Sequence, residues 1–570
     1  MRSVVLLVLL TLLGLSATDY YVNPTGSDVP ANGTLANPWK TINYGVGRLA
    51  AGDKLHLAAG ATFTENVYIG QGGTAASPKT ITSDPINRAR LVPPDATKHG
   101  VLIWDTAGVV VENLIITGKG MTGATMTGVT AQSDSAHYLG LTFRNLEVSG
   151  FKVGISLLGW GSTTAGFGDV VIEDSSFHHN LDSGGQTWAA TIGGNSNFTV
   201  RRCQFYINPG DPAATGNSGS GFVFGGVNGG LIEYCLAHDN GGAGVATEGP
   251  CGLWAYDSSA ITIQFCESYA NKAQHQDGDG YDLDQNVTDS VVQYCYSHDN
   301  YGVGFLLCHA GSLTSNNNTV RYCISENDGY SGYMGGIQFY SASTGLKNFR
   351  VYGNTVFSSK SPAVWIDRMD NTSGGKIWNN IFVTTGGKAV VQGSIGTGVV
   401  QFQNNLYWSS GGAFKVAGYA TLDAWRTATG QEKISDAPAG LNADPLLTAP
   451  GTGGIIGDTS RLTTLTAYTL RTGSPCADGG LDLTALFGVT AGGREFFGNP
   501  VPSGTGWAIG AHDPPVLRNR SIDMQVPSGF RWNASSPTDA QVDAPSGGVQ
   551  RIRVYSQQTA LVGLAPVSPG

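Results

Sequence analysis

The feature that most restricts how this chain can fold is a short unit that returns eleven times. It reads "VVVENLII" at 109–116, "LTFRNLEV" at 141–148, "VVIEDSSF" at 170–177, "FTVRRCQF" at 198–205 and "LIEYCLAH" at 231–238. It continues as "ITIQFCES", "VVQYCYSH", "TVRYCISE", "FRVYGNTV" and "GKIWNNIF", and ends with "VVQFQNNLY" at 399–407. Aligned on one small or amide residue, the units set Asn113, Asn145, Ser175, Cys203, Cys235, Cys266, Cys295, Cys323, Asn354, Asn380 and Asn405 in a column, 25 to 32 residues apart. Alternating apolar residues that lead into a turn at this period describe the coils of an all-β, right-handed parallel β-helix, stacked about 4.8 Å apart. Leucine-rich repeats share the period, but the leucine consensus they need is absent. The Asn and Cys columns are therefore expected inside, as ladders.

Composition agrees with a strand-rich solenoid. The chain holds 82 glycines against 6 methionines, which favours turns and strands over helices. A formal net charge of −10 argues against nucleic acid or an anionic membrane as partner. Residues 1–17, with an early arginine, an apolar run from Val4 to Leu15 and small residues at Ser16 and Ala17, read as a signal peptide. A secreted location, extracellular or periplasmic, is expected, with no membrane span and a monomeric state. Five of the eight cysteines fall in the ladder column, where parallel Cβ directions suit packed thiols better than disulfides. Cys251, Cys308 and Cys476 lie outside that column and are given no pairing.

A second strand precedes each ladder position by roughly 14 to 19 residues, usually opened by glycine: "GLWAYD" at 252–257, "GYDLD" at 280–284, "GFLLCH" at 304–309, "GIQFY" at 336–340 and "AVWIDR" at 363–368. Strand alternation sends Leu253, Ala255, Tyr281, Leu283, Phe305 and Leu307 inward. The outward column is then Trp254, Tyr256, Asp282, Asp284, Leu306, Cys308, Gln338, Tyr340, Trp365 and Asp367, with Arg368 beside it. Aromatic faces stack on pyranose rings while carboxylates and amides take hydroxyls, so this stripe reads as a carbohydrate groove, and a polysaccharide as the partner.

Four aspartates, Asp277, Asp279, Asp282 and Asp284, fall within eight positions of a chain that is only 13% charged. An EF-hand fails here, because its twelfth position is Thr288 rather than glutamate. Oxygen ligands at this density, with glycines between them, still suit a calcium ion held by Asp277, Asp279, Asp282 and Asp284. Asp282 and Asp284 also share one strand face, which fits an acid and base pair for glycoside hydrolysis. His309, on the following coil, joins them as the third catalytic candidate, and Lys272 and His275 lie in the loop before them.

The opening segment "YYVNPTGSDVPANGTLANPWKTINYGVG" and the segment from "LNADPLLTAPG" to "WAIGAHD" resemble the two ends of secreted β-helix proteins of the pectate-lyase-like superfamily. The organisation this implies is an N-terminal cap with first coils at 18–99, β-helix repeats at 100–410 and a closing segment at 411–513. A tail at 514–570 follows, either flexible or a small appendage. Asp279-Gly280-Tyr281-Asp282 resembles the Asp-Gly-Trp-Asp stretch of one group of calcium-dependent pectate lyases, which implies Asp279 and Asp282 as metal ligands. The lysine base of that group would fall in Gly304-Phe305-Leu306-Leu307, where this chain has Leu306. Tyr281-Asp282-Leu283-Asp284 is also similar to the active region of secreted alginate epimerases. The expectations that follow are a polysaccharide lyase, a glycoside hydrolase using paired aspartates, or a glycan-binding β-helix without catalysis.

Overall fold

The computed structural model describes residues 17–514, apart from 246–247, 330–333, 396–398 and 505. Beyond these it describes five short strands, Ser521–Ile522, Phe530–Asn533, Ala540–Asp543, Arg551–Val554 and Gly563–Pro566, which pair antiparallel with one another. The expected leader lies outside the described residues except for Ala17, and so does most of the tail.

The chain forms a right-handed parallel β-helix in which each strand pairs in parallel with its counterpart one coil later. One sheet runs the length of the solenoid as twelve strands. In chain order they are β1 (Val67–Ile69), β2 (Val101–Trp104), β3 (Thr127–Ser133), β4 (Val153–Gly159), β5 (Ser183–Ala189) and β6 (Phe222–Gly225). They continue as β7 (Cys251–Tyr256), β8 (Asp279–Leu283), β9 (Phe305–His309), β10 (Ile337–Ser341), β11 (Val364–Met369) and β12 (Val391–Gly393). This is the expected second strand of each coil, and it carries the candidate groove. The repeated units form the other strands of the coil. Among the described residues, no helix is long and apolar enough to cross a membrane.

Alternation decides the core. Leu253, Ala255, Tyr281, Leu283, Phe305 and Leu307 are buried, as expected, in one apolar cluster that also holds Ile337, Phe339, Val364 and Ile366. Each leucine, isoleucine, valine or phenylalanine among them contributes roughly 1.5–3 kcal/mol on burial, and the stack repeats it coil after coil.

The ladder column is buried from Ser175 to Asn405, with its five cysteines packed as free thiols. The first two members need correcting. Leu146 pairs with Leu114, so Asn113 and Asn145 stand one residue before the column and are only partly buried. Both are left-handed, at φ 60° and 49°, a backbone state that asparagine tolerates better than most residues. In later coils the same turn position is taken by Asp174, Arg202, Tyr234, Phe265, Tyr294 and Tyr322, all at positive φ.

A further ladder lies outside the repeated units. Asn180, Asn208, Asn240, Asn271 and Asn300 each donate from Nδ2 to the Oδ1 of the next, at 2.9–3.1 Å, and the row ends on Asp328. These side chains are buried, so the chain of amide bonds satisfies groups that would otherwise be costly inside.

At the end of the solenoid, the helix Leu422–Thr429 sets Trp425 against Phe402 and Tyr407. The closing segment then runs back along the flank. Its Leu447, Leu462, Tyr468, Phe496 and Ile509 pack on Tyr296, Ile324, Phe357 and Ile381. The backbone N–H groups of Ile456 and Gly457 reach Glu267. Those partners belong to the strands of the repeated units, which leaves the outer face of β5–β11 open.

Candidate active site

The outer face of β5–β11 and the loops above it enclose a cleft of about 780 Å³. Trp254, Tyr256, Asp282, Asp284, Gln338, Tyr340, Trp365 and Asp367 line it, as expected, along with Leu306 and Cys308. Parallel pairing places Trp254, Asp282, Leu306, Gln338 and Trp365 side by side on successive strands. Sequence reading misses Glu248, Cys251 and Met334, which reach the cleft from outside the outward column on which the expectation rests.

Trp254 is a wall rather than a free platform. Its indole N–H donates to Ser220 Oγ at 3.0 Å, and its ring stacks on Tyr256 at 5.3 Å. Asp282 is 4% exposed, and its Oδ1 has no hydrogen-bond partner. Gln338, two coils on and 7% exposed, likewise has an unpartnered Oε1. Both are buried acceptors at the cleft wall, each lacking a donor.

Of the named residues, His275 also lines the cleft, whereas Lys272, beside Asp239, and three others sit elsewhere. Asp279 shares the inward parity of Tyr281 and is fully buried. Its carboxylate accepts from Val303 N at 2.5 Å and from the Cys251 thiol at 3.7 Å. His309 follows the outward Cys308 and so turns in; its ring nitrogens pair with Ser315 Oγ at 3.0 Å and Thr344 Oγ1 at 2.8 Å. A register shift between Phe339 and Tyr340 brings Arg368 opposite Tyr340, where it projects into solvent and pairs with Asp370. Alternation alone does not reveal that shift.

Of the four aspartates, Asp277, Asp282 and Asp284 line the cleft and Asp279 stands apart from them. With Asp279 turned inward and committed, no three His, Cys, Asp or Glu side chains converge to hold an ion among the described residues. Asp277 faces the cleft and accepts from Gly249 N at 2.8 Å.

Electrostatics separate the two central carboxyls. Burial pushes Asp282 well above the ordinary carboxylate range, and repulsion from Asp284, Asp279 and Asp277 adds to it. Asp284 is also raised by burial, but the Cys308 thiol and the Gln285 backbone N–H act against that rise. Asp277 is pushed up to about 7, first by burial and then by Asp284 and Glu248. Burial also raises Asp367. Glu248, Asp277, Asp282, Asp284 and Asp367 line the cleft, while no lysine or arginine does among the described residues. Such a site can hold a proton on Asp282 and accept hydroxyls, and it repels anions.

The family described as right handed beta helix region matches residues 127–320 and 214–347, the coils that build this cleft. No curated protein matches the chain. Among solved structures, the GH136 lacto-N-biosidase from Eubacterium ramulus is similar at 19% identity and a TM-score of 0.47, over 63% of this chain and 66% of that one. The chain thus spans just under two thirds of that enzyme. A pectate lyase is similar at 14% identity and a TM-score of 0.38, over 88% of this chain and 97% of the other. An alginate lyase from a Paenibacillus species is similar at 14% identity and a TM-score of 0.33, over 58% and 95%.

Proposed function

We propose that the chain is a secreted carbohydrate-active enzyme that hydrolyses glycosidic bonds of a non-acidic glycan in this cleft. The observation that carries the reading is Asp282: a carboxyl buried in the cleft wall, where burial favours its protonated form, with one oxygen that nothing in the protein satisfies. A glycosidic oxygen placed there receives the Asp282 proton as the bond to the anomeric carbon breaks. Asp284, the residue that follows β8 and the easier of the two to ionise, takes the proton of the water whose oxygen bonds to that carbon. Their Cα atoms stand about 7 Å apart by strand geometry. Gln338 and the remaining carboxylates take sugar hydroxyls, while Tyr256, Tyr340 and Trp365 supply flat apolar faces.

Elimination from a uronide has less support. It needs a base and a cation beside the acidic sugar. Here Leu306 stands opposite Asp282, and the carboxylate-rich lining would repel a uronate. A purely glycan-binding role would account for the aromatic rings and the two unpartnered acceptors, but it gives no task to a carboxyl that burial raises well above its ordinary range.

The deciding experiment incubates the protein with neutral and uronate polymers and weighs the products. Hydrolysis predicts saturated fragments from a neutral polymer, each chain break adding one water. Unsaturated fragments from a uronate polymer would overturn the reading, and so would full activity in Asp282→Asn.

A further inference from the structure

Trp160 is the one exposed tryptophan among the described residues, at 55% exposure. Its ring lies 4.8 Å from that of Trp188, tilted by 47°. Trp188 is an outward residue of β5, and Trp160 follows β4 on the same face by alternation. The pair lies beside the cleft on the same face of the sheet. Gln186, two residues before Trp188 on β5 and pointing the same way, forms part of the cleft wall.

The rung between the pair and the cleft is built low. Parallel pairing aligns β5 with β6 and β6 with β7, and the outward residue beside Tyr256 on β6 is Gly225. A Cβ on Gly225 would sit 2.6 Å from the Tyr256 ring, so the phenol leans over the glycine toward the tryptophans. Two rungs of about 4.8 Å each separate the Trp188 strand from the Tyr256 strand. That is a span of about one to two sugar rings.

We propose that Trp160 and Trp188 form a distal subsite that stacks a pyranose ring of the glycan whose scissile bond lies at Asp282, so that the enzyme grips an extended chain. The proposal rests on the cleft being the glycan site, but not on which residue supplies the proton. A large apolar face left in water is explained by an occupant with an apolar face of its own. A pyranose ring one or two residues from the acidic cleft has that face, the right reach and no charge for the carboxylates to repel. Gly225 leaves the floor clear for the sugars between.

The test uses the full chain carrying Asp282→Asn, with and without Trp160→Ala and Trp188→Ala. Binding is measured by calorimetry with neutral cello-, xylo- and manno-oligosaccharides of two to eight sugars. The expected result is that long oligosaccharides bind roughly tenfold more weakly once the tryptophans are removed, while the shortest ones that bind at all are unaffected. Unchanged melting temperatures would show that the variants fold. Equal loss at every length, no loss at any length, or no binding in the whole series overturns the subsite. Catalytic failure is read separately: hydrolysis surviving Asp282→Asn sinks the acid assignment and leaves the length dependence standing.

Discussion

Asp282 stands directly opposite Trp254 on the neighbouring strand, and Trp254 cannot satisfy it. The one donor on the indole is already bound to Ser220, and the neighbour on the other side, Leu306, has no donor. The carboxyl is thus sandwiched between an aromatic wall and an aliphatic side chain, an environment that holds a proton and waits for a polar partner. From this juxtaposition follow the catalytic expectations.

Asp282→Asn and Asp284→Asn should each lower turnover by about 10²–10⁴, the range for a lost acid or base. The amide introduced by Asp282→Asn keeps the shape of a protonated carboxyl but gives up no proton, so this variant should fold and bind substrate normally. Rates measured alongside thermal melting check this. Activity should fall on the alkaline side as Asp282 loses its proton, and that limb should be missing from the residual activity of Asp282→Asn.

Stability should also depend on pH through Asp277. Its carboxyl is pushed up to about 7, so the fold favours the protonated form. The stabilisation is complete below the ordinary carboxylate range, near pH 4, and is lost as pH rises through about 7. Asp282 and Asp284, both raised, act with the same sign. The melting temperature is expected to drop between about pH 4 and pH 7, and Asp277→Asn should make that drop shallower. An identical slope in the variant would remove Asp277 as the cause.

The coils and the groove are legible in the sequence because both follow from strict alternation. An outward residue stays outward unless the strand slips, and so Trp254, Asp282, Gln338 and Trp365 come out together. Residue type is a poorer guide. Asn113 and Asn145 look like ladder members because they are asparagines, although both residues serve a left-handed turn. Asp279 groups with its neighbours as an aspartate, although its parity is that of Tyr281. The Asn180 to Asn300 ladder is spaced like the cysteine column, but it follows a second turn in the coil that the repeated units do not reach. Glu248 comes from a loop with no periodic signal at all.

The next expectation concerns calcium. The inward turn of Asp279 leaves no assembled set of ligands among the described residues, so chelation should leave both melting temperature and activity unchanged. Calorimetry with calcium chloride and assays in EDTA measure this. A rise of several degrees in melting temperature with calcium would mean that the acidic side chains rearrange around the ion, and would reopen the lyase reading.

The last expectation concerns the scaffold. Asn300 accepts at Oδ1 from both the backbone N–H and the side chain of Asn271, and its own Nδ2 reaches Ser268 O, Ser297 Oγ and Asp328 Oδ1. Asn300→Ala strands several of these groups in a site that solvent does not reach, each costing about 1–3 kcal/mol. Parts of the ladder will relax, so a net loss of about 2–4 kcal/mol is expected, with a clear fall in melting temperature. Because Asn300 does not line the cleft, turnover at temperatures well below the new melting point should stay near that of the parent chain. Loss of turnover without loss of stability would mean that the ladder positions β8 and β9, and with them Asp282, more tightly than its bonds alone imply.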